Sequence, residues 1–313
     1  MRSRVVAALF AVSLIAGCGS GAAGTPGSAG TGGGKLDVVT AFYPLEFLSK
    51  RIGGDAVSVS NLTKAGAEPH DVELNPRQVG QVSDAGLVVY LKGFQPAVDE
   101  AVAQEGGRAF DAGSVVELLP AAAGHEHEGE EPEAGHEEDA GAPDPHVWLD
   151  PLRFATVADK LGERLAAADP ADAAGYRSRA AAVRTELTAL DTEFTTKLKT
   201  CERREIVTSH SAFNYLAKRY ALSEIGITGI SPEAEPSPQR LAEVTREARE
   251  HGATTIFFET LVSPAVAETI AREVGAKTAV LDPLEGLTDP GADYFSVMRA
   301  NLAALTTALG CTS

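Results

Sequence analysis

In 313 residues the chain has three cysteines, two methionines, one tryptophan, and only 27 basic side chains against 44 acidic ones. Each shortage excludes something. A formal charge of −17 leaves no electrostatic footprint for nucleic acid or an anionic lipid surface. No Cys-x-x-Cys occurs, so dithiol redox catalysis has no signature. His-Glu-x-x-His and Gly-x-Ser-x-Gly are both missing, which removes the compact marks of zinc and serine hydrolases. The glycine-rich stretch 19–34 is not followed by Gly-Lys-Ser/Thr and precedes the first expected strand, so it is not a phosphate loop. The apolar run Val5–Ile15 is too short to span a bilayer.

That run follows Arg2 and Arg4 and has the form of an export signal. Its end, Leu14-Ile15-Ala16-Gly17-Cys18, resembles the lipobox of bacterial lipoproteins. The resemblance implies removal of residues 1–17, acylation of Cys18, and a chain anchored by lipid to the outer side of the cell membrane. Loss of the signal leaves 25 of the 27 basic side chains against all 44 acids, a net −19. Residues 18–35 then read as a flexible tether of Gly, Ala, Ser, Thr and Pro. Cys201 and Cys311 remain as an even pair in an oxidising setting, so they either bridge or persist as two buried thiols. A bridge would close a loop of more than a hundred residues, valued at roughly 4–5 kcal/mol by chain entropy.

Along the chain, apolar strands alternate with helical spacing. Strands are expected at 37–41, 57–59 and 87–91, with helices at 44–52, from Asn75-Pro76 onward, and at 94–104. Residues 121–142 break the pattern with His125, His127, His136 and eight acids between Glu126 and Asp139. This segment cannot bury enough surface to fold alone; it is a solvated acidic loop or a low-affinity metal-collecting arm. Asp150-Pro151 reads as a cap opening a helix to Ala168. Beyond Asp169-Pro170, Tyr176, Ala180, Val183, Leu187, Leu190, Phe194 and Leu198 recur every three or four residues. That spacing predicts one helix over about 171–199, about 43 Å long. A second alternating unit follows, with strands near 206–209, 224–227, 255–259 and 278–281. Ser237-Pro238 and Ser263-Pro264 are expected to open helices, and a last helix to run from Asp293 to Leu309. The expected fold is α/β: two lobes with parallel sheets, 36–150 and 201–313, joined through a helical passage 151–200 that contains one long linking helix. No internal repeat of fixed period is evident.

Four side chains stand out, at positions that the carboxyl ends of strands would offer: His70 in the loop after an early strand, His146 at the junction, and His210 and Asp282 each just after a strand. Ligands of open parallel sheets bind there, so the four are either one distributed site or separate satisfied polar groups. The surrounding segments are Glu68-Pro69-His70-Asp71-Val72-Glu73, Asp144-Pro145-His146-Val147-Trp148-Leu149-Asp150-Pro151, Ser209-His210-Ser211-Ala212-Phe213 and Leu281-Asp282-Pro283-Leu284. In order and spacing they resemble the metal-binding segments of the ZnuA/TroA-type metal receptors of ABC importers. The resemblance implies a metal held between two lobes by His70, His146, His210 and Asp282. It also implies delivery to a membrane permease driven by a cytoplasmic ATPase. Histidine at position 210, where manganese receptors of that family generally carry glutamate, points to Zn²⁺ as the transported ligand, and three imidazoles with one carboxylate suit it. Alternatives are a manganese-preferring receptor or a metal-buffering or adhesion lipoprotein. Glu259 is expected to orient an imidazole and Trp148 to pack beside the site. An enzyme is not expected, because four protein ligands leave no open position for water. The chain is expected to act as a monomer.

Overall fold

The computed structural model describes residues 34–104, 107–121 and 143–312. The expectations placed on the signal segment, Cys18, the tether up to residue 33, and the acidic insert with His125, His127 and His136 lie outside the described residues.

Strand β1 (Leu36–Thr40) leads through helix α1 (Tyr43–Gly53) to β2 (Val57–Asn61), and α2 (Pro76–Asp84) leads to β3 (Leu87–Tyr90). Helix α3 (Pro96–Val102) and β4 (Ala109–Asp111) complete a four-stranded parallel sheet of order β2-β1-β3-β4. Two helices, α4 (Pro151–Ala168) and α5 (Ala173–Lys197), intervene before β5 (Glu205–Thr208), α6 (Asn214–Arg219), β6 (Ser223–Gly226) and α7 (Pro238–Glu250). Strand β7 (Thr255–Phe258), α8 (Ala265–Val274), β8 (Lys277–Val280) and α9 (Tyr294–Leu309) follow. The second sheet, β6-β5-β7-β8, is again parallel and repeats the order of the first. The two halves share a topology that no sequence period announces. Buried β3, Leu-Val-Val-Tyr, is apolar throughout as a central parallel strand should be. Strand β4 went unread because its three residues hold one buried apolar side chain, Phe110.

Helix boundaries follow local chemistry. Asn75 caps α2 with a reciprocal Gln78 contact, Asp150 caps α4 by accepting Leu152 and Arg153 N–H, and Asp293 caps α9. The linking helix α5 has 25 residues, so it spans about 37 Å and is shorter than its apolar spacing suggests. Asp169 accepts the N–H of Ala171 and turns 170–172 into a 3₁₀ turn instead. Ser263 opens α8 as expected: its Oγ accepts the N–H of Ala265 at 3.4 Å, and Pro264, at φ −74° and ψ −2°, already has helical backbone. The expected apolar stripe of α5, from Tyr176 to Leu198, is wholly buried.

One contiguous apolar core runs from β1 and α1 through α4 and α5 to α9, and a smaller cluster around Val207, Val244 and Ile256 covers the rest of the second sheet. The lobes are therefore welded through the α4–α5 pair. Cys201 and Cys311, just beyond α5 and α9, are disulfide-bonded across 110 residues. Among the described residues no helix is long and apolar enough to cross a membrane.

Helices α4 and α5 approach closely at Gly162, where an added Cβ would stand 2.7 Å from the Ala180 Cβ. Gly162→Ala improves helix propensity by about 1 kcal/mol yet overpacks this contact, and overpacking typically costs about 1–3 kcal/mol. Thermal unfolding should show a lower midpoint for the variant; a higher one would mean the helices can part here freely.

Candidate metal centre

The site lies where loops leave the carboxyl ends of strands in both sheets. His70 follows β2, His210 follows β5, Glu259 follows β7 and Glu285 follows β8, while His146 precedes α4. His70, His146, His210 and Glu285 each offer one ligand atom within 4.8 Å of the others, and all four are buried. Nε2 of His146 is 3.0 Å from Glu285 Oε1, and Nε2 of His70 is 3.3 Å from the same oxygen. Nε2 of His210 also stands 3.3 Å from it but without hydrogen-bond alignment. Three imidazole nitrogens thus face one carboxylate oxygen, and such a set can hold a metal ion.

The opposite ring nitrogens are spoken for. His146 Nδ1 lies 2.8 Å from Asp144 Oδ1, and His210 Nδ1 lies 2.9 Å from Glu259 Oε1, which also accepts from Ser209 Oγ at 2.7 Å. A Nδ1–H held by a carboxylate fixes the tautomer and turns Nε2 toward the centre. Aromatic rings wall off water on one side: Phe94 meets His70 with centroids 4.5 Å apart, and Trp148 meets His146 at 5.2 Å. Trp148 also bridges the cleft, donating Nε1–H to Pro283 C=O at 2.7 Å and accepting from Tyr294 Oη through its own carbonyl at 2.6 Å.

A short device recurs in the loops. In Glu68-Pro69-His70 the acid accepts the N–H of His70 at 2.9 Å, and in Asp144-Pro145-His146 it accepts that of His146 at 3.0 Å. Asp282-Pro283-Leu284 does the same, Asp282 Oδ1 accepting Leu284 N–H at 2.8 Å. The acid before each proline makes the turn, because proline has no N–H and the next donor is two residues on.

Hence the fourth position differs from the expectation: Glu285, not Asp282, stands with the imidazoles. Asp282 spends one oxygen on its turn and the other on Thr260 Oγ1 at 2.9 Å. Sequence reasoning missed Glu285, Asp144 and Glu68. The acid-Pro-x pattern does not single them out, because acid-Pro occurs eight times in the sequence and the same turn forms at Asp150, Asp169 and Asp289.

Burial works against charge throughout the centre. It lowers His70, despite the opposing hydrogen bond to Glu285. For His146 burial also pulls down, but the carboxylates of Asp144 and Glu285 outweigh it and raise the imidazole to about 9. His210 is likewise raised well above the ordinary histidine range, burial being overcome by Glu285 and Glu259. Burial pushes Glu285 up, yet His210, His146 and His70 hold it well below the usual carboxylate range. For Glu68, burial and the charge of Glu285 outweigh the His70 N–H it accepts and push it to about 8.

Fold and centre together define a two-lobed α/β protein with a buried His₃–carboxylate cluster, able to hold a metal ion, in the cleft between the sheets. The model of the family described as ZnuA, zinc-uptake complex component A, periplasmic, matches residues 38–308, and the chain belongs to that family. It is 37% identical to the high-affinity zinc uptake system protein ZnuA of Bacillus subtilis over 97% of this chain and 96% of that protein. It is 38% identical to the zinc-binding protein AdcA of Streptococcus pyogenes, covering 87% of this chain and 56% of AdcA. The chain thus spans about half the length of several curated relatives it matches. Among solved structures, the Zn(II)-bound ZnuA-like domain of Streptococcus pneumoniae AdcA aligns with TM-score 0.73 and 35% identity, over 88% of this chain and 99% of that one.

The protonation pattern has a sign. His146 and His210 carry protons in the ion-free site up to pH values above neutrality, and a metal can take Nε2 only when that proton leaves. Binding should therefore strengthen as pH rises toward 9 and weaken in acid. Two protons released per divalent ion at pH 7 corresponds to about 100-fold in affinity per pH unit. Calorimetry in buffers of different ionisation enthalpy counts them; release of none would contradict the assignment.

Proposed function

We propose that this chain is an extracytoplasmic receptor that captures Zn²⁺ between its lobes through His70, His146, His210 and Glu285 and delivers it to an ABC-type permease. The observation that carries the reading is the convergence of three Nε2 atoms on Glu285 Oε1 at 3.0–3.3 Å in a buried cleft. Zinc bonds of about 2.0–2.1 Å in a tetrahedron put neighbouring donor atoms about 3.3 Å apart. Imidazole-rich donors favour zinc over manganese, which prefers more oxygen and higher coordination. Four protein ligands close the shell and leave no seat for a catalytic water, so the protein is a receptor and not a metallohydrolase. Asp144 and Glu259 hold His146 and His210 in their liganding tautomers.

The remaining parts of the reading rest on sequence. Residues 36–150 and 201–313 act as the two lobes, with 151–200 as a stiff passage between them. Cys18 carries the lipid that keeps the receptor, a monomer, at the outer face of the membrane beside the permease and its cytoplasmic ATPase. The acidic insert with His125, His127 and His136 collects metal weakly for the buried site.

Competition titration of the purified protein tests the centre directly. Zn²⁺ should bind more tightly than Mn²⁺, and Glu285→Gln should weaken zinc by 100-fold or more while Asp282→Asn has a far smaller effect. Mn²⁺ binding more tightly, or the two variants exchanging ranks, would refute the assignment. Deleting residues 121–142 should leave the tight site at its original affinity; its loss would show that the insert contributes a ligand.

A further inference from the structure

Glu285 is delivered by a turn whose backbone is unfavourable for its sequence. Leu284 has φ +61°, in the left-handed region that a branched side chain avoids, and it is completely buried. Such a conformation persists only where its surroundings over-determine it. Here they do. Asp282 N–H donates to Asn301 Oδ1 at 2.9 Å, and Asn301 Nδ2 donates back to Asp282 C=O at 2.7 Å. Asp282 then accepts Leu284 N–H, and Trp148 donates to the carbonyl of Pro283. Residues 282, 283 and 284 are each held, and residue 285 is presented.

Asn301 is the member with no other evident task. It sits in α9 among buried Met298, Leu302 and Leu305, where a polar side chain costs stability unless it is bonded, and its two polar atoms bond this turn. A leucine would pack on the same helix face without that cost. We propose that Asn301, acting through Asp282, is a positioning residue that holds Leu284 in the left-handed conformation and thereby sets the Glu285 carboxylate among the three imidazoles. Without the clasp, Leu284 relaxes to negative φ and Glu285 swings away from the ion. The inference rests on the reading of Glu285 as a metal ligand.

Zinc competition titration on four variants, beside Glu285→Gln, tests it. Asn301→Ala should weaken zinc about 10–100-fold, the usual range for a partner that orients a ligand. Asp282→Ala, at a partly exposed position, should do the same if the asparagine variant folds poorly. Adding Leu284→Gly to Asn301→Ala should restore most of the affinity, because glycine adopts positive φ without strain. Val244→Ala, in the separate cluster of the second sheet, should lower the unfolding temperature and leave zinc binding alone. Unchanged affinity in Asn301→Ala and Asp282→Ala beside a loss in Glu285→Gln would overturn the clasp and keep the site. An unaffected Glu285→Gln would instead overturn the ligand reading on which the clasp depends. A double variant no better than Asn301→Ala would mean that the asparagine acts through stability alone, and the clasp would fall.

Discussion

The constraint behind this structure is the burial of Glu285. A carboxylate at 0% exposure survives only with compensating donors or cations, and among the described residues the imidazoles of His70, His146 and His210 supply them. Ion-free, the centre is a network of shared protons among three histidines and the carboxylates of Glu285, Asp144 and Glu259. A divalent cation replaces the protons on the Nε2 side with one stronger attraction, while the Nδ1–H bonds to Asp144 and Glu259 remain. The same low dielectric that makes the empty arrangement costly makes a well-matched cation bind firmly.

Everything else serves to bring four side chains from four loops to one point. Two parallel sheets of the same order aim their strand ends at a common cleft, and a continuous core through α4 and α5 welds the halves. Trp148, reaching from the junction to Pro283, ties the loop of one half to the wall of the other. The disulfide beyond α5 and α9 fastens the far end, where chain entropy gives a 110-residue loop a stabilisation of roughly 4–5 kcal/mol. A distributed site needs this stiffness, since an error of an ångström in any loop removes a ligand.

The loops of the site use three times a local rule that also operates at Asp150, Asp169 and Asp289. An acid, a proline and a third residue form a turn in which the acid accepts the third residue's N–H. In two turns the third residue is a candidate ligand, His70 or His146; in the last it is Leu284, and the candidate ligand is the next residue along. Resemblance of the Leu281-Asp282-Pro283-Leu284 segment pointed at its most conspicuous oxygen donor. That oxygen is consumed by the turn, and the strained φ of Leu284 carries the following carboxylate inward.

The sequence by itself determined the periodic elements. The alternation of strands and helices, the buried stripe of α5, the caps at Asp150, Ser237, Ser263 and Asp293, and the three loop histidines were all legible, because period and capping are local properties. Strand β4 and the shortened start of α5 were not, since one or two contacts decide each. Only the tertiary structure decided which carboxylate joins the imidazoles and that the two halves share one strand order. Both depend on how distant segments pack: Glu285 becomes a candidate ligand only once Asn301 and Trp148, far apart in sequence, close on the same turn.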